Sequence, residues 1–470
     1  MKQRTVVTKI TGLSRKGNGI GEFEREDDTS WPVEVPFAIP GDEVKALIFR
    51  KRRGAYQSRM EELIHPSPER ISPRCVHFGT CGGCRWQQMD YEKQGELKEK
   101  FVRHCLAPGL ASDVHFHPIL LCEKPWEYRN KMEFSFSMDK EKTPYLGMIM
   151  EGGKGRVFNL TECHLVNPWF AKVVTTVRQW WLESGLEAFR PYRNTGSLRT
   201  LIVREGIRTG DKMVMLTVSG NPDFALNQQQ IDGFVAHVRD AIEPLDPAGN
   251  LSIFLRIQQQ IKGKPTQFYE MHLSGPDHIQ EVLHVSNPMT FKVSPTAFFQ
   301  PNSLQAEKLY SRGLELTEIP ENAVVYDLYC GTGTLGICAA QYAKQVVGIE
   351  LSPEAVLDAR ENAELNGVKH YEVMQGNVQE VLQKIQKESL FPSPDIVMVD
   401  PPRVGLDPDA IKQIIQLSPE KILYISCNPV TQAKNCEDFL KHGYRIVAVQ
   451  PIDQFPQTVH IENIVVLIRE

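Results

Sequence analysis

The chain has 470 residues, of which 41% are hydrophobic, so it can bury large cores, and we expect about two to four domains. Its ten cysteines do not indicate a small disulfide scaffold, its N-terminus lacks an apolar signal region, and no stretch approaches the roughly 18 apolar residues of a membrane span. A formal net charge of −5 argues against general nucleic-acid affinity. We therefore expect a reduced, cytoplasmic, monomeric protein with no membrane partner.

Residues 1–62 alternate short apolar runs with glycine and proline, which predicts a small all-β barrel. Residues 1–74 carry 14 basic and 11 acidic residues, so this part is positive while the remainder is negative. Within it, FRKRRGAYQSRM (49–60) holds five basic residues, no acidic residue and two aromatic residues. That composition suits phosphates and stacked bases. A basic edge strand kept soluble by its charges is an equally good interpretation.

A proline-rich linker, HPSPERISPRC, leads into the middle region, residues 63–290, where strand-like and helical segments are mixed as in an α+β domain. Cys75, Cys81 and Cys84 form a C-x5-C-x2-C motif, and Cys163 can supply a fourth thiol. Close thiols in a reducing compartment indicate a metal site. Zinc and an iron–sulfur cluster are both bound by four thiolates, so the residues leave both open.

Residues 291–470 alternate helices with continuous apolar strands, which predicts a parallel, doubly wound sheet covered on both faces. The first strand runs into DLYCGTGTLGI, which fits G-x-G-x-x-G. Glu350 ends the second strand, where it can accept hydrogen bonds from a ribose diol. NAD and S-adenosylmethionine both offer that diol. Asp327, just before the glycines, and the lack of a substrate domain after the sheet favour S-adenosylmethionine.

Two later strands also end in chemically active residues. Asp400 follows one strand in VDPPR, and Cys427 follows the next in SCNP, where an Asn-Pro pair ends the strand. A lone cysteine is most often a small buried hydrophobic residue, but parallel sheets present their chemistry at this edge. A thiolate here can add to carbon 6 of uracil and make carbon 5 nucleophilic. A base must then remove the carbon 5 proton, and Glu462 is the candidate, although a surface glutamate is the ordinary interpretation.

Five segments, FFQPN (298–302), DLYCGTGT, DPPR, SCNP and FPQTVHIE, occur in the order and at about the spacing found in the RNA 5-methyluridine methyltransferases. The chain resembles that family over nearly its whole length. The resemblance implies a multi-domain α/β protein with an OB-like barrel similar to a TRAM domain, a central α+β domain and a C-terminal Rossmann-like methyltransferase domain. It implies S-adenosylmethionine-dependent methylation of uridine carbon 5 in RNA, with Cys427 as the nucleophile that forms a covalent adduct and Glu462 as the general base. The implied cofactor contacts are Gln300, Tyr329, Thr334, Glu350, Asn377 and Asp400, with Thr334 standing where the family often has Asn.

The same resemblance implies that a 4Fe–4S cluster, rather than zinc, is held by Cys75, Cys81, Cys84 and Cys163. It also implies that a helix at about 91–110 packs on the catalytic domain. A cluster combined with an N-terminal barrel points to large-subunit (23S) ribosomal RNA more than to tRNA as the substrate. The alternatives are a tRNA uridine C5-methyltransferase and an RNA cytosine C5-methyltransferase, which places another cysteine where DPPR stands here. An iron–sulfur NAD oxidoreductase is a distant alternative that leaves Cys427 and Glu462 without a role.

Overall fold

The computed structural model describes residues 4–24, 29–247, 249–261 and 263–470, which form 21 β-strands and nine α-helices. Residues 1–3 and 25–28 of the predicted barrel therefore lie outside the described residues. Within the described part of the chain, no helix is both long enough and apolar enough to cross a membrane.

The N-terminal region is a closed barrel, which confirms the all-β prediction, and its strand order is β1-β2-β3-β5-β4. The strands are β1 (Arg4–Leu13), β2 (Gly19–Glu24), β3 (Ser30–Val35), β4 (Glu43–Arg52) and β5 (Ala55–His65). Side chains alternate between solvent and the barrel interior, where Ile10, Val33 and Val44 are buried. Because β5 runs to His65, the boundary predicted at residue 62 falls inside its last strand; the prolines that end the strand come only after that residue.

The linker is followed by α1 (Tyr91–Leu106), a short 3₁₀ turn (Ala107–Gly109) and β6 (His115–Phe116). Asp90 caps α1 by accepting hydrogen bonds from the backbone N–H groups of Glu92 and Lys93. The apolar residues Val102 and Leu106 of this helix pack into the hydrophobic core of the C-terminal domain. Helix α1 thus lies on the C-terminal domain although it precedes the central domain in the chain.

The central domain is a six-stranded sheet of order β12-β11-β10-β9-β7-β8. Its elements are β7 (Lys131–Met138), β8 (Pro144–Gly147), α2 (Trp169–Ser184), β9 (Leu198–Glu205), β10 (Lys212–Ser219), a 3₁₀ turn (Pro222–Phe224), α3 (Gln228–Ile242), β11 (Leu251–Gln259) and β12 (Gln267–Ser274). Helices α2 and α3 cover one face, where Trp180 packs edge-on against Phe234. Residues of the other face, including Met213 and Met215, join the core of the C-terminal domain.

A separate hairpin, β13 (Ile279–Val285) and β14 (Asn287–Val293), connects the central and C-terminal domains. Its apolar residues, among them Leu283 and Phe291, are buried in the same core as the C-terminal sheet. The predicted boundary at residue 290 therefore falls inside a strand. A change of sequence rhythm marks where helices begin to alternate with strands, and this hairpin precedes that change although it packs with the C-terminal domain.

The C-terminal domain contains an eight-stranded sheet of order β17-β16-β15-β18-β19-β21-β20-β6. Its elements are α4 (Ser303–Thr317), β15 (Val324–Leu328), α5 (Thr334–Ala339), β16 (Gln345–Glu350), α6 (Pro353–Leu365), β17 (Tyr371–Gln375), α7 (Val378–Glu388), β18 (Ile396–Val399), α8 (Pro408–Leu417), β19 (Lys421–Ser426), α9 (Pro429–Leu440), β20 (Tyr444–Ile452) and β21 (Glu462–Arg469). Strands β15 to β19 are parallel, as predicted. Alternate residues of β15 enter two different cores, with Tyr326 on one face of the sheet and Val325 on the other.

Strand β21 departs from the predicted parallel arrangement because it runs antiparallel to both of its neighbours, β19 and β20. Strand β20 ends at the carboxyl edge of the parallel strands, and residues 453–461 turn the chain back into the sheet there. The first residue of β21 consequently lies at the same edge as the last residue of β19.

Candidate active site

A cavity of about 1110 Å³ opens at the carboxyl edge of the parallel strands. Seven of the residues implicated by the sequence line it: Gln300, Tyr329, Glu350, Asn377, Asp400, Cys427 and Glu462. Ligand sites of open α/β sheets lie at this edge, and typical small-molecule pockets occupy about 300–1,000 Å³. The cavity is therefore large enough for a nucleoside cofactor together with a second flat group.

Cys427 lies between the end of β19 and the start of α9. Strand β19 is buried along its apolar residues, and Asn428 caps α9 through a hydrogen bond that its side chain accepts from Val430 N at 3.3 Å. Pro429 occupies the first turn of that helix, where a missing N–H has no cost. Strand end and helix cap thus hold the half-buried thiol at the cavity.

Glu462 faces the same cavity because β21 pairs antiparallel with β19, with Ser426 opposite Asn463. Its side chain is buried, and Oε2 has no hydrogen-bond partner. Burial raises the pKa of Glu462 well above its usual value, and the neighbouring carboxylate of Asp400 raises it further. Burial also raises the pKa of Asp400. The cavity therefore contains two carboxyl groups that hold protons more tightly than they would in water.

Arg403, the last residue of DPPR, lies beside Cys427, and the sequence interpretation did not assign it a role at the thiol. Burial raises the pKa of Cys427 to about 11, and the charges of Glu462 and Asp400 contribute to the rise, while the Arg403 guanidinium opposes it. The same guanidinium lies 3.4 Å from Nδ1 of His460, whose pKa burial lowers to about 4. Arg403 is thus the positive group that favours a thiolate here. The motif DPPR was its only sequence signal.

Glu350 receives two backbone hydrogen bonds at the end of β16. Gly331 N donates to Oε2 at 3.0 Å, and Ser352 N donates to Oε1 at 2.8 Å. These bonds orient the carboxylate, and each oxygen keeps a lone pair for a diol. The glycine-containing turn is therefore hydrogen-bonded to Glu350, the acidic residue that the sequence places beside it in the predicted cofactor site.

Asp327 lies beneath the glycine-containing turn and does not line the cavity. It is fully buried, Oδ2 has no hydrogen-bond partner, and burial raises its pKa to about 8. A Cβ atom at Gly336 would stand 2.5 Å from that oxygen and 2.8 Å from the Tyr371 ring, which explains why glycine occupies this position. Asp327 supports the turn rather than forming part of the cavity wall.

The remaining predicted cofactor contacts differ in placement. Gln300 is held through its backbone, whose carbonyl accepts from Asn130 Nδ2 at 2.8 Å, and Asn377 caps α7. Tyr329 adopts a left-handed backbone conformation, with φ of 64°, where the chain leaves β15. Thr334 does not line the cavity: it is buried at the start of α5, and its hydroxyl contacts that of Thr332. The prediction that Thr334 touches the cofactor therefore finds no support in the lining of the cavity.

One wall of the cavity comes from the central domain, which the sequence interpretation did not connect with the site. Arg256 on β11 and Phe268 and Glu270 on β12 line it. The guanidinium of Arg256 stands 3.9 Å from the centre of the Phe268 ring. The sequence of β12 shows no regular apolar alternation and did not indicate that this strand lines the cavity. Only the packing of the two domains brings β12 there.

The four cysteines of the predicted metal site lie together in the central domain. Burial is the largest cause of a raised pKa at all four thiols, and the charge of at least one other member of the quartet raises each pKa further: Cys75, Cys81, Cys84 and Cys163. Burial raises the pKa of Cys84 to about 12. Within the described residues, no three His, Cys, Asp or Glu side chains form a group that could hold a metal ion. The four thiols are thus neighbours that do not form such a group in this arrangement.

The basic stretch 49–60 forms the hairpin between β4 and β5, and its charges are exposed. The ammonium group of Lys51 stands 3.2 Å from the centre of the Trp31 ring and 5.5 Å from that of Tyr56. Phe49 is also exposed. The hairpin therefore presents positive charge and aromatic rings together.

Comparison with known proteins yields three kinds of match. The family model described as tRNA (uracil-5-)-methyltransferase matches residues 269–470. An uncharacterized RNA methyltransferase of Protochlamydia amoebophila is 52% identical over 441 residues, which cover 93% of this chain and 99% of the relative. One from Caldanaerobacter subterraneus subsp. tengcongensis is 34% identical over 464 residues, 98% of each chain. The crystal structure of Pyrococcus abyssi tRNA (uracil-54, C5)-methyltransferase in complex with S-adenosyl-L-homocysteine has a TM-score of 0.73 at 24% identity, covering 98% of this chain and 100% of that one, and so shares its fold.

Proposed function

Because the chain belongs to the RNA (uracil-5-)-methyltransferase family, we propose that it methylates carbon 5 of a specific uridine in RNA through a covalent adduct with Cys427. The observation that carries this proposal is the position of Cys427 and Glu462 at neighbouring ends of the adjacent strands β19 and β21, both facing the cavity that Glu350 also lines. A nucleophile and a base are thereby brought to one side of a nucleoside-sized space.

The cavity residues fit S-adenosylmethionine, which would supply the methyl group. Glu350, held by two backbone N–H groups, would accept the ribose hydroxyls, and Gln300, Tyr329, Asn377 and Asp400 would complete the contacts. The crystal structure of the Pyrococcus abyssi enzyme, which has the same fold, contains S-adenosyl-L-homocysteine, the product of such a transfer. That precedent supports assigning the same cofactor class to this chain.

In the proposed reaction Cys427 adds through sulfur to carbon 6 of uracil, which makes carbon 5 nucleophilic enough to take the methyl group. Arg403 favours the thiolate before the attack. The ionised carboxylate of Glu462 then removes the proton from carbon 5, and the electron pair of that C–H bond re-forms the double bond between carbons 5 and 6 and expels the sulfur from carbon 6. The thiolate is regenerated, and the proton remains on a carboxyl group whose raised pKa suits it to hold one.

We propose large-subunit ribosomal RNA as the substrate, with tRNA as the alternative. The closed N-terminal barrel and the cysteine quartet support the first choice by their resemblance to enzymes that act on ribosomal RNA. The Pyrococcus abyssi protein, whose name specifies tRNA, has the same fold, so the fold alone does not discriminate between them. The exposed basic hairpin of the barrel would bind phosphates and stacked bases of either RNA.

The test is methylation of unmodified RNA with methyl-tritiated S-adenosylmethionine, followed by digestion and nucleoside mass spectrometry. We expect 5-methyluridine in ribosomal RNA with the wild-type protein and none with Cys427→Ala. Cys436→Ala is the matched control, since Cys436 is buried away from the cavity. Formation of 5-methylcytidine instead would contradict the proposal, and 5-methyluridine confined to tRNA would select the alternative substrate.

We also propose that the cysteine quartet holds a 4Fe–4S cluster that stabilises the central domain. Four thiolates could hold either a zinc ion or a 4Fe–4S cluster. The proximity of the four thiols supports a shared site, and the match of all four cysteine positions to the family that the sequence resembles favours the cluster. Protein prepared without oxygen should contain about four iron and four sulfide per chain. Cys84→Ser should lose them and Cys105→Ser, outside the quartet, should not; stoichiometric zinc without iron would contradict the proposal.

A further inference from the structure

Residues 453–461, here called the active-site loop, connect β20 to Glu462 at the start of β21. Phe455 of this loop lines the active-site cavity together with Cys427 and Glu462. Any shift of the loop would therefore move a wall of the cavity and the first residue of β21. The groups that hold the loop in place are consequently relevant to the chemistry.

A buried ion pair holds the beginning of the loop. Lys98 of α1 donates from Nζ to Asp453 Oδ1 at 2.6 Å and to the Phe455 carbonyl at 3.1 Å. Both charged side chains are buried, with 1% of Lys98 and none of Asp453 exposed. The Phe455 N–H donates to the same carboxylate oxygen at 3.2 Å. One ammonium group thus fixes both ends of the turn that carries the Phe455 ring.

A second contact, one helical turn earlier on α1, holds the middle of the loop. Gln94 donates from Nε2 to Gln457 Oε1 at 3.0 Å and accepts from Gln457 N at 3.0 Å. The Gln457 backbone is left-handed, with φ of 68°, a conformation that costs free energy in a residue other than glycine. Such a conformation persists only when its surroundings impose it, and here the surroundings are the paired amide.

Neighbours of α1 complete the attachment. The Gln457 carbonyl accepts from the backbone N–H groups of Arg85 at 2.9 Å and Trp86 at 3.2 Å. Tyr128 donates from its hydroxyl to the Pro456 carbonyl at 3.0 Å. These partners of residues 453–457 therefore come from residues 85–128, far earlier in the chain than strands β15 to β21.

We propose that Lys98 and Gln94 are positioning residues that set the active-site loop, and through it Phe455 and Glu462, for proton removal from carbon 5. The inference rests on the proposed covalent reaction. Nucleophilic attack depends on Cys427, which is held by β19 and α9 and not by the loop. Loss of the loop's anchors should thus slow the later step more than the first, so the methylated covalent adduct should accumulate.

The principal variant is Lys98→Met, which keeps much of the side chain's length and removes its three donors. We expect kcat to fall at least tenfold, KM for S-adenosylmethionine to stay within about twofold, and a tritium-labelled protein–RNA band to appear on a denaturing gel. The double variant Lys98→Met/Asp453→Leu should recover thermal stability because no unpaired charge remains buried, and it should not recover kcat. That separation distinguishes positioning from stability.

Val102→Ala is the matched control, because Val102 lies on α1 one turn beyond Lys98, packs into the hydrophobic core and has no side-chain group that could hydrogen-bond to the loop. We expect it to lower the melting temperature while leaving kcat near wild type and producing no labelled band. Gln94→Met tests the second contact without leaving a buried charge, so it replaces Lys98→Met if that variant does not fold. We expect it to lower kcat and to accumulate the labelled band in the same way. The proposal would be overturned if Lys98→Met and Gln94→Met kept the wild-type kcat and formed no labelled adduct. It would also be overturned if Val102→Ala accumulated the same adduct.

Amide hydrogen exchange of the peptide spanning 453–461 provides a readout that does not depend on activity. The exchange should be faster in Lys98→Met or Gln94→Met than in Val102→Ala at equal loss of stability. Unchanged exchange would overturn the positioning role even if the enzyme proved active. A wild-type protein that makes no 5-methyluridine, but whose loop is released by these substitutions, would instead count against the proposed function alone.

Discussion

Replacing Glu462 by Gln should separate the two halves of the proposed reaction. The substitution keeps the shape of the side chain and removes a buried carboxyl group whose Oε2 has no partner. Cys427 remains in place at the end of β19, so attack and methyl transfer should still occur once. The C–H bond at carbon 5 then lacks its base, and the protein should stay attached to the methylated uracil.

The magnitude follows from the role of the group. A positioned general base contributes about 10²–10⁴ in rate, and the burial of Glu462 limits replacement by water. We therefore expect turnover to fall about 10³-fold, which corresponds to about 4 kcal/mol in activation free energy. Asp400 is the nearby carboxyl group that can provide residual proton removal.

Folding should not account for the loss. Because burial raises the pKa of Glu462, ionisation of this group destabilises the folded protein as pH rises above the value of the unfolded chain. A neutral Gln lacks that cost, so Glu462→Gln should be at least as resistant to urea as the wild type at pH 8. Equal or higher stability with lower turnover would place the defect in catalysis.

The assay is a denaturing gel of protein incubated with RNA and methyl-tritiated S-adenosylmethionine. Glu462→Gln should give a slowly migrating labelled band that persists for hours, and the double variant Cys427→Ala/Glu462→Gln should give none. Wild-type release rates in Glu462→Gln would transfer the role of base to another group. Full turnover by Cys427→Ala would refute the covalent mechanism itself.

Three further predictions concern charge. Since burial raises the pKa of Asp327 to about 8, the folded protein should lose up to roughly 6 kcal/mol of stability as the pH rises from about 4 to about 8. Asp327→Asn should not show this loss in urea titrations. The same pH dependence in both proteins would contradict the prediction. Because burial raises the pKa of Cys427 to about 11, iodoacetamide should alkylate this thiol at pH 8 roughly 10²-fold more slowly than a free cysteine, and Arg403→Met should slow the alkylation further. Peptide mass spectrometry measures both rates. Faster alkylation in Arg403→Met would show that Arg403 does not favour the thiolate. Replacing the basic residues of 49–60 by Gln should reduce the slope of log binding constant against log salt concentration for RNA by about 0.7–0.9 for each phosphate that the hairpin no longer neutralises, with cofactor affinity unchanged. An unchanged slope would indicate that these charges only keep the barrel soluble.

The apolar pattern predicted most of the C-terminal sheet correctly for a physical reason. Strands buried on both faces need continuous apolar residues, and KILYIS became β19 as that requirement predicts. Pattern does not encode the direction of a strand, since an antiparallel strand such as β21 can be equally apolar. The order of strands and the position of β21 between β19 and β20 therefore depended on which segments pair in space.

The sequence by itself determined which candidate residues follow the strands and at which edge of the sheet most of them lie, because turn residues and caps act locally. Asn428 and Pro429 end β19 after Cys427 whatever the rest of the chain does. Only the tertiary structure brought Glu462 beside Cys427, through antiparallel pairing, and only domain packing placed Phe268 on the opposite wall. It likewise buried Lys98 against Asp453, a contact between residues 355 positions apart in the chain. The residues around Lys98 in the sequence do not indicate which acidic residue it will pair with, because the pairing depends on the packing of distant segments around both side chains.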